Sequence, residues 1–225
     1  MRTSIFVVVG LFVVATAASA AMFSDGPIAL TSNGGSDETR ADYVLYYHEG
    51  MSGWASVWTF SQNGHVATYF DPLDNLGDDI HEAYEIVGVE SGWHNDSGGD
   101  IDVNLYVCAD DDGEPDFGSP LFTLPVTIND TDPYWSQFDS DVDPPVGFNC
   151  GEMFWVVYEV FAENPHPASD MDDTDPQYHS YIGDEDGLTW DLFGADWKHN
   201  AYADPGESTN NVTPASFGHI KASYE

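Results

Sequence analysis

The chain has 225 residues, with 40 Asp and Glu against 4 Lys and Arg, and a formal net charge of −36 at pH 7. A surface of that sign repels phosphate backbones and anionic lipid, which excludes nucleic acid and acidic membranes as partners and makes cations the natural counterparts. Hydrophobic residues make up 42% of the chain and aromatics 14%, enough for one sizeable core.

The first twenty residues read as a secretory signal peptide. Arg2 supplies a positive n-region, Ile5–Val14 an apolar h-region, and Ala18, Ser19 and Ala20 a small-residue cleavage site. The h-region falls short of the roughly 20 apolar residues of a membrane span, and no later stretch approaches that length, so no membrane insertion is expected. The predicted location is extracellular or periplasmic. Cleavage leaves roughly 205 residues, a length that one all-β domain fills.

Residues 21–40 are rich in Gly, Ser, Asn and Asp and predict a flexible lead-in. Strand patterns then recur over Tyr43–His48, Trp54–Phe60, His65–Phe70, Ala83–Val89, Ile101–Cys108, Leu121–Ile128 and Tyr134–Phe138. Glu152–Phe161 follows as the longest apolar run after the leader. Phe154, Val156, Tyr158 and Val160 share one of its faces, and Trp155, Val157 and Phe161 the other. A strand apolar on both faces belongs in the middle of a covered sheet. Three further strands are read at Tyr178–Gly183, Thr189–Phe193 and Trp197–Tyr202, with one helical turn around Asp78–Tyr84.

Turn chemistry separates these runs. Asn63-Gly64 predicts a hairpin between its flanking strands. Asn95–Gly99, Asp110–Gly118 and Asp184–Gly187 read as further connections, and Ala162–Pro176 as the longest one, carrying no strand character. Residues 204–225 form a polar tail with a candidate edge strand. The fold class expected is all-β: an antiparallel two-sheet β-sandwich, jelly-roll-like, over residues 41–203.

Cys108 and Cys150 are an even pair in an exported chain and predict a disulfide. Closing a loop of roughly 43 residues would stabilise the fold by about 4 kcal/mol. The aspartates fall into dense runs, and Asp110, Asp112 and Asp116 in one loop and Asp170, Asp172 and Asp175 in another are candidate ligands of Ca2+, which takes six to eight oxygens. Neither run follows the EF-hand order, so ligands would come from paired loops.

Catalytic signatures are lacking. Gly50-Met51-Ser52-Gly53 misses the spacing of a nucleophile elbow, and His81-Glu82 begins a zinc motif in which Glu85 stands where His is required. No P-loop or dinucleotide turn occurs. A glycosidase needs only two carboxylates at a set separation, which so acidic a chain neither supports nor excludes. Aromatics are the other usable signal. Trp54, Trp93, Trp135 and Trp197 lie at strand ends and are the candidates for stacking on sugar rings.

The order Val103–Pro115, Phe154–Tyr158, His179–Gly183 and Gly187–Trp190 resembles uncharacterised secreted β-sandwich (jelly-roll-like) domains of environmental bacteria, over roughly residues 43–203. That resemblance implies a secreted sandwich and supplies no catalytic residues. Gly183–Trp190 is also similar to the Asp-box hairpin of sialidase-type repeats, matching at Gly187, Thr189 and Trp190 and departing at Gly183 and Glu185. A single such turn is structural and does not imply a sialidase. The expected function is a non-catalytic extracellular binding or structural module, calcium-stabilised where the aspartate loops hold metal. Carbohydrate binding is the alternative, followed by glycan hydrolysis; the partner would be an extracellular glycan or protein.

Overall fold

The computed structural model describes residues 23–31, 41–51, 53–74, 80–170 and 179–206. The leader, residues 21, 22 and 32–40 of the lead-in, and residues 207–225 of the tail with its candidate edge strand lie outside them. The described residues form fifteen strands: β1 (Phe23–Thr31), β2 (Tyr43–Leu45), β3 (Trp54–Phe60), β4 (Gly64–Phe70), β5 (Tyr84–His94), β6 (Ile101–Asp111), β7 (Glu114–Pro115), β8 (Phe122–Ile128), β9 (Ser136–Phe148), β10 (Phe154–Val160), β11 (His166–Asp170), β12 (Ser180–Gly183), β13 (Trp190–Leu192), β14 (Asp196–Trp197) and β15 (His199–Pro205). Among the described residues there is no helix. Residues 75–79, which include the start of the expected helical turn, lie outside them, and Tyr84 opens β5.

All pairings are antiparallel, in two sheets. One runs β1-β3-β11-β5-β15-β2, with β9 on β5 and β14 on β11; the other runs β13-β12-β4-β10-β6-β7, with β8 on β6. The fold is the expected all-β sandwich. Its core lies between the sheets, where Phe60, Tyr84, Trp93 and Ala201 of the first meet Val66, Phe70, Leu105, Phe154, Val156 and Tyr158 of the second, all at 1% exposure or less. β10 sits centrally, bonded to β4 and β6, and is covered on both faces as its double apolar pattern requires.

Four expectations need correction. Asn63-Gly64 does not close a hairpin, because β3 and β4 belong to different sheets. A type I′ turn demands positive φ at both residues, and neither has it; the turn instead carries the chain across the sandwich. Second, Phe23–Thr31, read as part of a flexible lead-in, forms β1 along β3. Third, His166–Asp170, inside the presumed loop, is β11 and bonds to β3, β5 and β14. Its five buried residues are small or polar, so intrinsic strand propensity did not mark it.

The fourth correction concerns the cysteines, which are both free: Cys108 is buried in the middle of the second sheet opposite Trp155, and Cys150 is exposed in the turn before β10. A bridge needs Cβ atoms that face each other, and these two side chains occupy separate environments. The stabilisation expected of a disulfide is therefore absent. Burial, with Asp116 nearby, pushes the Cys108 thiol up to about 12, so it is inert as a nucleophile.

Candidate functional site

Side chains alternate across a strand, so the inward set of the second sheet leaves His65, Ala67 and Tyr69 of β4, Trp155, Val157 and Glu159 of β10, and Tyr106 and Cys108 of β6 facing outward. Register aligns them in rows. Tyr181, Ala67, Val157 and Tyr106 form one; Tyr69, Trp155 and Cys108 the next; Gly183, His65 and Glu159 a third. Small residues at the centre leave space that rings fill. Trp155 packs against Tyr69 and Tyr181, each with ring centres 4.9 Å away.

Two more rings arrive from outside the central strands. Trp190 of β13 lies across Gly183, where a Cβ would stand 2.8 Å from its ring, and Phe117 packs on Tyr106 at 4.9 Å and on His65 at 4.6 Å. Ala67, Cys108, Trp155 and Val157 are fully covered beneath, while Tyr69, Tyr106, Phe117, Tyr181 and Trp190 are half-buried. Leu192, paired with Tyr181 and 48% exposed, continues the apolar surface to the sheet edge.

Carboxylates border the rings. Trp155 Nε1 donates to Asp110 Oδ1 at 2.8 Å, and Asn104 Nδ2 donates to Glu159. Burial, followed by the charge of Asp110, pushes the Tyr69 phenol up to about 12; Tyr181 is raised by the same two causes, and Tyr106 by burial and Glu159. These phenols stay protonated and remain hydrogen-bond donors beside anionic acceptors. Flat apolar rings with donors and acceptors at their margins fit a polyhydroxylated ligand.

The tryptophans singled out from the sequence are elsewhere. Trp54 is at the surface, 67% exposed, whereas Trp93, Trp135 and Trp197 are at 0–1% and belong to cores, which removes them as stacking platforms. Strand-end position did not separate them, because Trp93 and Trp197 belong to the core between the sheets while Trp135 packs with Ala55, Val57 and Ala168 of the first sheet. The face described above is carried instead by Trp155, Trp190, Tyr69, Tyr106 and Tyr181. Its signal was the period-2 alternation of aromatics in strands that pair, legible only once the pairing is known.

The aspartates are dispersed. Asp110 serves Trp155 and accepts the Gly113 amide, Asp112 is exposed at φ 57°, and Asp116 is half-buried. Asp170 faces Lys198 across 3.3 Å, while Asp172 and Asp175 lie outside the described residues. Among the described residues no three His, Cys, Asp or Glu groups converge as metal ligands.

A second cluster, missed from the sequence, covers the outer face of the first sheet. His48 Nδ1 accepts the Gly50 amide, which leaves Nε2–H to donate to Asn200 Oδ1 at 2.9 Å; Asn200 Nδ2 and Tyr202 Oη then both donate to Glu90 Oε2 at 2.7 Å. Beside it, Lys198 Nζ donates to Gly50 O and Asp170 and lies over the Trp135 ring. His48, Glu90, Trp135, Asp170, Lys198, Asn200 and Tyr202 are all buried, and the bonds of Asn200 to His48 and of Lys198 to Gly50 tie the segment Tyr46–Met51 down. Lys198 is the one Lys or Arg between residues 41 and 206, a feature visible in the sequence. No family model matches the chain, and no curated protein matches it.

Proposed function

We propose that the protein is a secreted, non-catalytic module that holds an extracellular glycan on the aromatic outer face of its seven-stranded sheet. One observation carries this reading: outward positions that are polar on a solvated sheet are here Tyr69, Trp155, Tyr106 and Tyr181, with Trp190 laid beside them. Half-buried rings keep a face for stacking, and Asp110 and Glu159 are placed to accept sugar hydroxyls. The net charge of −36 favours neutral or cationic glycans over sulfated or uronic ones.

The test is retention on a panel of neutral polysaccharides in native affinity gels, run with calcium and with chelator. Wild-type protein is expected to be retarded, and Tyr181→Ala and Trp190→Ala each to weaken retention by about tenfold, the equivalent of about 1.4 kcal/mol per ring. Loss of retardation in chelator would add calcium to the site. Release of reducing sugar would assign a hydrolase instead. No retention on any glycan, or retention as strong as wild type in both variants, sinks the proposal.

A further inference from the structure

At the end of β5, His94 stands directly opposite His166 of β11 in the antiparallel register, so both imidazoles project from the outer face of the first sheet. Their ring centres are 6.1 Å apart, with planes inclined by 32°. Two imidazoles bonded to one ion at metal–nitrogen distances of about 2.1 Å have ring centres roughly 5–6.5 Å apart. We propose that His94 and His166 bind a divalent transition metal of the Zn2+, Ni2+ and Cu2+ class.

The hydrogen bonds around the pair supply what such a site needs. His94 Nδ1 lies 3.1 Å from the carbonyl oxygen of Tyr134, which can only accept, so Nδ1 carries the proton and Nε2 the lone pair. A ring N–H fixed on a backbone carbonyl is the usual support of a metal-bound histidine. His166 is 7% exposed, and its Nδ1 is buried without a hydrogen-bond partner. Native proteins rarely leave such an atom unsatisfied, and a metal ion satisfies it through itself or through a bound water. Asp96 acts electrostatically on His166 and adds the negative field that favours a cation.

Two protein nitrogens leave the remaining positions to water, since no third His, Cys, Asp or Glu joins them among the described residues. The site is therefore exchangeable rather than closed. Ser97 and Asn164, near the pair in the chain, line an open cavity of about 440 Å³, so the surrounding loops border solvent.

Cu2+ is the probe, titrated calorimetrically into the full chain with about 1 mM Ca2+ present to occupy oxygen-only sites. Wild-type protein is expected to bind one Cu2+ and to show nitrogen hyperfine coupling in its electron paramagnetic resonance spectrum. His166→Phe fills the same space without a ligand and removes no hydrogen bond from Nδ1. It should melt in chelator at or above the wild-type temperature, and its Cu2+ affinity should fall at least about tenfold. His94→Gln tests the second ligand and should lose affinity equally, whereas the exposed His81→Ala should change nothing. An oxygen-only spectrum, absent binding, or wild-type affinity in the folded His166→Phe variant overturns the site.

Discussion

Buried within the segment Tyr46–Met51, His48 uses both ring nitrogens as a neutral imidazole, and burial followed by the charge of Lys198 lowers its pKa to about 4. In the core, His199 shares a hydrogen bond with Thr68, and burial followed by His48 lowers it to about 3. Both groups bind a proton more readily in the unfolded chain than in the folded one. Their stabilising contribution is complete above the ordinary histidine pKa of 6.5 and is lost as pH falls towards the folded values. Between pH 6.5 and about pH 5 most carboxylates remain ionised, so the histidines dominate that window. Each is expected to lower the unfolding free energy by up to about 1.4 kcal/mol per pH unit there, measurable by urea titration at three pH values. His48→Gln should remove its share of the slope; a midpoint independent of pH contradicts the assignment. Nothing in the sequence distinguishes these two histidines from exposed His81, because their neutrality comes from partners far along the chain at Asn200 and Thr68.

Among the strands, legibility followed the origin of the signal. β3 and β10 carry their own pattern, and the predicted Trp54–Phe60 coincides with β3 while Glu152–Phe161 encloses β10. β11 has no such pattern; it is a strand because β3 and β5 present edges on either side of it. The predicted Tyr134–Phe138 covers only the start of β9, and Asp143, Pro144 and Pro145 further along it are residues that disfavour a strand. They are accommodated where β9 slips register against Ile86 and Gly88 of β5, and beyond them Val146 and Phe148 return to the core. The aromatic face depends on a comparable local fit. Gly183 lets the Trp190 ring lie on β12, with no room for a Cβ, and Trp190 Nε1 donates to the Gly187 carbonyl. Gly183→Val is expected to lift that ring, costing about 1–3 kcal/mol in urea unfolding and weakening glycan retention. Wild-type stability and retention in this variant would show that the ring's seat is not needed.

Across the whole molecule, charge and burial are distributed in opposite senses. Forty acidic side chains serve a chain with four basic ones, and the single Lys between residues 41 and 206 is placed inside, 1% exposed against Asp170 and Trp135. Strand spacing anticipated the two-sheet fold and composition the acidity, but neither anticipated this inversion, which requires knowing that Lys198 Nζ reaches the Gly50 carbonyl. A buried Lys–Asp pair contributes little net stability, yet removing one member leaves the other charge uncompensated in the interior.

The position of Lys198 also bears on resistance to proteolysis. Trypsin cuts after Lys or Arg, and between Ala41 and Gly206 it has only the bond following Lys198, which lies between two paired strands. Cleavage there requires the sandwich to open first. Digestion of the native protein should therefore leave the bond after Lys198 uncut, read by intact-mass spectrometry under denaturing conditions. A prompt cut at Lys198 would show that the strands around it part readily. A chain this poor in cleavable bonds can persist among digestive enzymes of that specificity without any disulfide to brace it.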